Sequence, residues 1–172
     1  MIMQSFRVAV LTASDKGARG ERQDESGPLI REMVEAAGGN VVIYEVVPDE
    51  FSVLRDKLVA YTDDRQIHLV LTTGGTGLSP RDNTPDATLA VIEKQVPGMA
   101  EAMRAFGLQK TPHAMLSRAV CGIRNRTLIV NLPGSPRAVR ENLGVILPAI
   151  PHALDVLCGQ TGECANLRKN DV

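Results

Sequence analysis

The sequence predicts an α/β fold built on a mostly parallel sheet with one antiparallel strand, and three observations carry that expectation. Short apolar runs at residues 6–12, 40–47, 68–73 and 127–132 have the length and valine content of buried strands. Each is followed by a segment with helical spacing of its apolar residues. The polar corner Arg124-Asn125-Arg126 joins the last run to another at 119–123, which reads as a hairpin and reverses one strand.

The run at 6–12 is the first strand, with Ser14 and Asp15 at its carboxyl end. Residues 16–25, KGARGERQDE, are polar and glycine-bearing, as in a mobile surface loop beside a site or a merely solvated connection. Ser26-Gly27-Pro28 opens a helix carrying Leu29, Ile30, Met33, Val34 and Ala37 on one face, and Gly38-Gly39 closes it. The second strand, 40–47, stops at Pro48. Asp49 follows at once, where a carboxylate can cap the next helix or face a site at the sheet's carboxyl edge; both readings stand. Phe51, Leu54, Leu58 and Tyr61 form the apolar stripe of that helix.

The strand at 68–73 runs into the richest stretch, HLVLTTGGTGLSPRDNTPDAT. Gly74, Gly75 and Gly77 around Thr76 permit positive φ and close approach of a ligand to the backbone. Thr84, Pro85 and Asp86 read as N-cap, first helical position and acidic first turn. Strand, glycine loop and helix start make a phosphate cradle. The loop matches neither G-x-x-x-x-G-K-[ST] nor G-x-G-x-x-G. Charge on a bound phosphate would fall to backbone amides, to Arg81, and to a divalent cation on a carboxylate such as Asp82. The alternative is a tight strand-to-helix turn with a solvated Arg-Asp pair.

Beyond the loop a helix continues through 88–92, Pro97-Gly98 interrupts, and 99–108 reads as another helix with Met99, Met103 and Phe106 as core filler. Thr111-Pro112 starts a short helical turn leading to Ser117 and Arg118. The strand at 127–132 ends in NLPGSP, a stiff loop whose Pro136 suits the opening of a helix. It is the natural second wall for the glycine loop. Helical patterns at 137–147 and 149–157, divided by Pro148, cover the sheet, and a polar tail starts at about 160.

At 172 residues, without a repeat or linker, the chain reads as a single domain over 1–172. A net charge of −1 and 3% aromatics, with no Trp, argue against a nucleic-acid surface. The amino-terminal apolar run is too short for a signal segment, and no stretch is long enough to span a membrane. Three cysteines without a C-x-x-C, and three scattered histidines, indicate neither a disulfide framework nor a transition-metal site. A cytoplasmic protein with reduced thiols is expected.

LVLTTGGTGLSPRDNTPDATLAV at 69–91, VPDE at 47–50, MLSRAVCGIR at 115–124 and LIVNLPGSP at 128–136 resemble the MogA/MoaB family of molybdenum cofactor biosynthesis, and within it the molybdopterin adenylyltransferases. The resemblance covers about residues 5–160. It implies a three-layer α/β/α molybdopterin-binding domain, usually a homotrimer. The implied reaction moves AMP from ATP to molybdopterin's terminal phosphate with release of pyrophosphate and requires Mg²⁺. A separate molybdenum-insertion protein takes the product. The family's two functional aspartates fall on Asp49 and Asp82, which are also the candidate Mg²⁺ ligands. Its nucleotide and pterin contacts fall on Thr73, Gly74, Gly75, Thr76 and Gly77, on Ser117, and on Asn131, Pro133, Gly134 and Ser135. The alternative within the resemblance is a non-catalytic, MoaB-like molybdopterin-binding or scaffold protein. A domain acting on another nucleotide is a third reading, which the complete TPDAT and LSR blocks disfavour.

Overall fold

The computed structural model describes residues 6–64 and 66–159. The expected polar tail and Cys164 lie outside them. Six strands form one sheet: β1 (Arg7–Ala13), β2 (Asn40–Val47), β3 (Leu69–Thr73), β4 (Lys94–Gln95), β5 (Cys121–Arg124) and β6 (Thr127–Leu132), in the order β2-β1-β3-β6-β5-β4. β2, β1, β3 and β6 are mutually parallel, and β5 is antiparallel to both β6 and β4. Five strands therefore share one direction and β5 alone runs against them.

Alternation along the central strands splits the core into two, as a sheet covered on both faces requires. Val8, Val10, Leu69, Leu71, Leu128, Val130 and Leu132 point to one face. There they meet α2 (Ser26–Ala36), α5 (Pro97–Leu108), α6 (Pro136–Ile146) and α7 (Ile150–Cys158). Ala9, Leu11, Val70 and Ile129 point to the other, under α3 (Phe51–Asp63) and α4 (Thr84–Val91). This is the expected three-layer α/β/α arrangement.

From β1 the chain moves outward to β2 and then returns across β1 to β3, so winding reverses between β1 and β3. Ligands of open α/β sheets bind at the carboxyl edge of such a switch point. The register levels that edge: Thr12 lies opposite Thr73, and Thr73 opposite Leu132.

Three elements depart from the expectation. The stretch after Asp15 is not wholly irregular, because Ser14 accepts the Gly17 N–H at 3.0 Å and caps a four-residue helix, α1 (Asp15–Ala18). Strand β4 is two exposed residues whose only signature is pairing with β5. Helix α5 begins at Pro97 itself, because the missing N–H of proline is harmless in a first turn. Among the described residues no helix is long and apolar enough to cross a membrane.

Candidate active site

Four strand-to-helix connections converge on the carboxyl edge, and backbone packed too closely for any side chain holds them together. Gly74 has φ +90°, and a Cβ there would lie 2.4 Å from the Ala13 carbonyl oxygen at the end of β1. Its N–H donates to the Leu132 carbonyl at the end of β6 (3.2 Å), and a Cβ on Gly134 would lie 3.3 Å from the Gly74 Cα. Thr73 Oγ1 donates to the Pro133 carbonyl at 2.7 Å. The ends of β1, β3 and β6 are thus one unit.

Beyond Gly74 the loop passes between the two sequence-predicted carboxylates. At Gly75 (φ +64°) a Cβ would meet Thr84 Oγ1 at 2.5 Å and Asp49 Oδ1 at 3.0 Å. At Gly77 it would meet Asp82 Oδ2 at 2.9 Å. Among the described residues the N–H groups of Gly75, Thr76, Gly77 and Leu78 have no protein acceptor. The buried Thr84 hydroxyl is also without a partner. Four free amides and a free hydroxyl beside two carboxylates suit an anion carrying a divalent cation.

Asp49 is not the side-chain cap of α3; Glu50 occupies the N-cap position and makes no capping bond. Instead Asp49 Oδ2 accepts the Asp15 N–H at 3.0 Å, and Asp15 Oδ1 accepts the Asp49 N–H at 3.0 Å. Burial pushes the Asp49 carboxyl up, an effect opposed by the Asp15 N–H and reinforced by the charges of Asp15 and Asp82. Asp15 is held below the usual carboxylate range, chiefly by the Arg81 guanidinium. Arg81 grips Asp15 through Nη2 (2.8 Å) and Nε (3.1 Å) and reaches Glu50 through Nη1 (2.8 Å). Arg81, the expected phosphate contact, is paired with the Asp15 and Glu50 carboxylates in this structure. The helix cap foreseen at Thr84 also moves by one, with Asn83 in the N-cap position.

Asp82 Oδ2 accepts the Ser79 N–H at 2.8 Å. Among the described residues no group of three or more His, Cys, Asp or Glu side chains is arranged to hold a metal ion. A cation here would need ligand oxygens as well. That fits Mg²⁺, which typically takes one or two carboxylates plus phosphates and water.

On the other side of Gly74 lies a cavity of about 330 Å³, which Thr73, Gly74, Gly134 and Ser135 help to line. Asp24 anchors it. Its carboxylate accepts from Thr12 Oγ1 (2.7 Å), Tyr44 Oη (2.6 Å) and the N–H groups of Ser26 (3.0 Å) and Gly27 (3.2 Å). Ser26 Oγ donates to the Gly134 carbonyl at 2.7 Å. Nothing in the polar run at 16–25 singles out Asp24, because the hydroxyls it accepts from come from β1 and β2.

The remaining predicted residues divide. Gly134 faces the cavity, and Ser135 both faces it and caps α6 by accepting the Ala138 N–H at 3.3 Å. Pro133 contributes the carbonyl that Thr73 holds. Ser117 Oγ accepts the Ala119 N–H at 3.3 Å and stands on a separate cleft beside Arg104 and Arg118. Asn131, a contact implied by the resemblance, has its polar side-chain atoms engaged within the protein. Its side chain is fully buried, accepting the Val120 N–H at 3.1 Å and donating to Thr72 Oγ1 (3.0 Å) and Thr88 Oγ1 (2.9 Å). It is a strut beneath the site.

Comparison with known proteins places this architecture. The model of the MoCF_biosynth family, described as a probable molybdopterin binding domain, matches residues 9–152. Molybdopterin adenylyltransferase of Helicobacter pylori is 43% identical over 159 residues, covering 91% of this chain and 90% of that protein. The Escherichia coli K12 enzyme of the same name is 38% identical over 177 residues, covering 95% and 91%. The crystal structure of the molybdopterin biosynthesis enzyme MoaB from Thermus thermophilus superposes with a TM-score of 0.85 at 52% identity, covering 90% of this chain and 97% of that one. Matched along nearly its whole length, the chain belongs to the MoCF_biosynth family of molybdenum cofactor biosynthesis proteins.

Proposed function

We propose that the protein is a molybdopterin adenylyltransferase. An oxygen of molybdopterin's terminal phosphate attacks the α-phosphorus of ATP, the bond to the bridging oxygen breaks, and pyrophosphate leaves with that electron pair. The observation that carries the reading is the row of four free loop amides between Asp49 and Asp82. The relatives named for this activity support it.

The chemistry suits the side chains. A phosphate monoester is largely dianionic at neutral pH, its second pKa being about 6, so the nucleophile needs no strong general base. The protein must instead hold two anions in line and offset charge developing on the phosphates. The amides of Gly75 to Leu78 serve the second task directly. Mg²⁺ held by Asp82 and Asp49 would supply the rest of the neutralising charge. Gly74 carries the loop between its two neighbourhoods, the carboxylates on one side and the Asp24 cavity on the other, which gives two substrates separate but adjoining places. In the same reading the protein acts in the cytoplasm as a homotrimer and passes its product to a molybdenum-insertion protein.

The test is adenylyl transfer by the purified protein with molybdopterin, ATP and Mg²⁺, with Asp82→Asn as control. Adenylyl-molybdopterin from wild type, lowered at least about tenfold in the variant, is expected. Saturable pterin binding without product would replace the enzyme reading with that of a non-catalytic binding or scaffold protein.

A further inference from the structure

Arg118 precedes β5 and is remote in sequence from the glycine loop, yet it gathers that loop's carbonyl groups. Its N–H donates to the Thr76 carbonyl at 2.9 Å. Its Nε donates to the Gly77 carbonyl at 2.8 Å and its Nη2 to the Asp82 carbonyl at 2.5 Å. The far side of the guanidinium is steadied by Asp86, at 3.2 Å from Nη1 and 3.0 Å from Nη2.

A trans peptide points its C=O and the following N–H in opposite directions. Drawing the carbonyls of Thr76 and Gly77 toward Arg118 therefore turns the N–H groups of Gly77 and Leu78 away from it, and among the described residues neither has a protein acceptor. Fixing the Asp82 carbonyl holds the backbone from which the Asp82 carboxylate projects. The guanidinium fork thus sets the Leu78 amide and one carboxylate together, while the Arg118 backbone N–H sets the Gly77 amide. With Nε and Nη2 taken up in this way, little donor capacity remains for a substrate.

We infer that the side chain of Arg118 is a positioning group of this site, acting through the Leu78 amide and through Asp82 rather than by touching substrate. The inference rests on adenylyl transfer as the reaction. Lysine carries the charge, but as a compact point charge without the planar fork, so it cannot reproduce the paired grip on two carbonyls.

The experiment is a double-mutant cycle of Arg118→Gln and Asp82→Asn, with Arg118→Lys and Asp86→Asn alongside. It reads kcat, KM for ATP, Mg²⁺-ATP affinity by calorimetry, and thermal midpoint. Arg118→Gln should lower kcat at least about tenfold, yet lower that of Asp82→Asn by less than about threefold, because coupled groups are non-additive. Arg118→Lys should fold and remain as impaired in kcat as the glutamine variant. Asp86→Asn should lose less than about threefold, since the carbonyl contacts survive. Losses that multiply in the double variant, or full recovery with lysine, would overturn the inference. If Arg118→Gln does not fold, the lysine variant decides on the same criteria. If wild type makes no adenylyl-molybdopterin, the proposed reaction fails separately. Arg118 is then judged by Mg²⁺-ATP affinity, and unchanged affinity in Arg118→Gln or Arg118→Lys overturns its role.

Discussion

Replacing Asn131 by alanine separates a strut from a substrate contact. The wild-type side chain is fully buried and makes three hydrogen bonds, at 2.9, 3.0 and 3.1 Å. At about 1 kcal/mol net for each, their loss destabilises the fold by about 3 kcal/mol. The half-buried Val120 N–H, left without its acceptor, pushes the figure upward, while Thr88 keeps its bond to the Thr84 carbonyl. For a protein of this size about 3 kcal/mol corresponds to a fall of roughly 6–12 °C in Tm. The assay is urea denaturation together with steady-state kinetics at a temperature where the variant remains folded. The expected result is a lower midpoint with KM for ATP and molybdopterin within about twofold of wild type. A stability loss below about 1 kcal/mol, with either KM raised tenfold or more, would show that Asn131 serves the ligand and would refute its assignment as a buried strut.

Three further outcomes follow from the same geometry. Gly74→Ala combines a left-handed φ with a Cβ 2.4 Å from a backbone oxygen and should cost more than about 2 kcal/mol. By contrast Gly144→Ala in open space on α6 should gain about 0.5 kcal/mol; equal denaturation midpoints for the two variants would dismiss the close-packing account. Thr84→Val removes a buried hydroxyl that has no partner, so apo stability should stay level or rise slightly in thermal melts, and a loss above about 1 kcal/mol would reveal a partner. Asp49 has a folded-state pKa raised mainly by burial, so its contribution to stability is fully present below its unfolded pKa and is lost as pH rises through the folded value. Asp49→Asn should therefore gain stability relative to wild type as pH is raised from about 4 to 7, and a difference of opposite slope in pH-dependent denaturation would contradict the assigned shift.

The sheet could be read from sequence where burial imposed a pattern. The strands through Val8–Leu11, Leu69–Leu71 and Leu128–Val130 are buried on both faces and show as continuous apolar runs. The two-residue β4 is exposed and defined by its partner alone, so nothing local announced it. The site divides the same way. Glycines 74, 75 and 77 were recognisable because steric exclusion leaves few alternatives, and Asp49 and Asp82 because each comes after a strand end. Asp24 and Arg118 carry no local signature, since the hydroxyls and carbonyls they engage are brought together only by the fold. Asn131 opens the loop-like NLPGSP motif, yet its register beside Thr72 buries its side chain, which no local pattern announces.

The reversal of β5 has a further bearing on how the site can be altered. In the parallel strands the chain exits at the carboxyl edge, so each contributes only the loop that leaves its far end. β5 arrives there instead, and Ser117 to Val120 serve the edge as an approach road, while its turn through Asn125 (φ +54°) lies at the opposite end of the molecule. The same hairpin is fixed to the site at one end and free of it at the other. Lengthening its corner leaves the chemistry alone, whereas shifting β5 by one residue along β6 would withdraw Arg118 from the glycine loop.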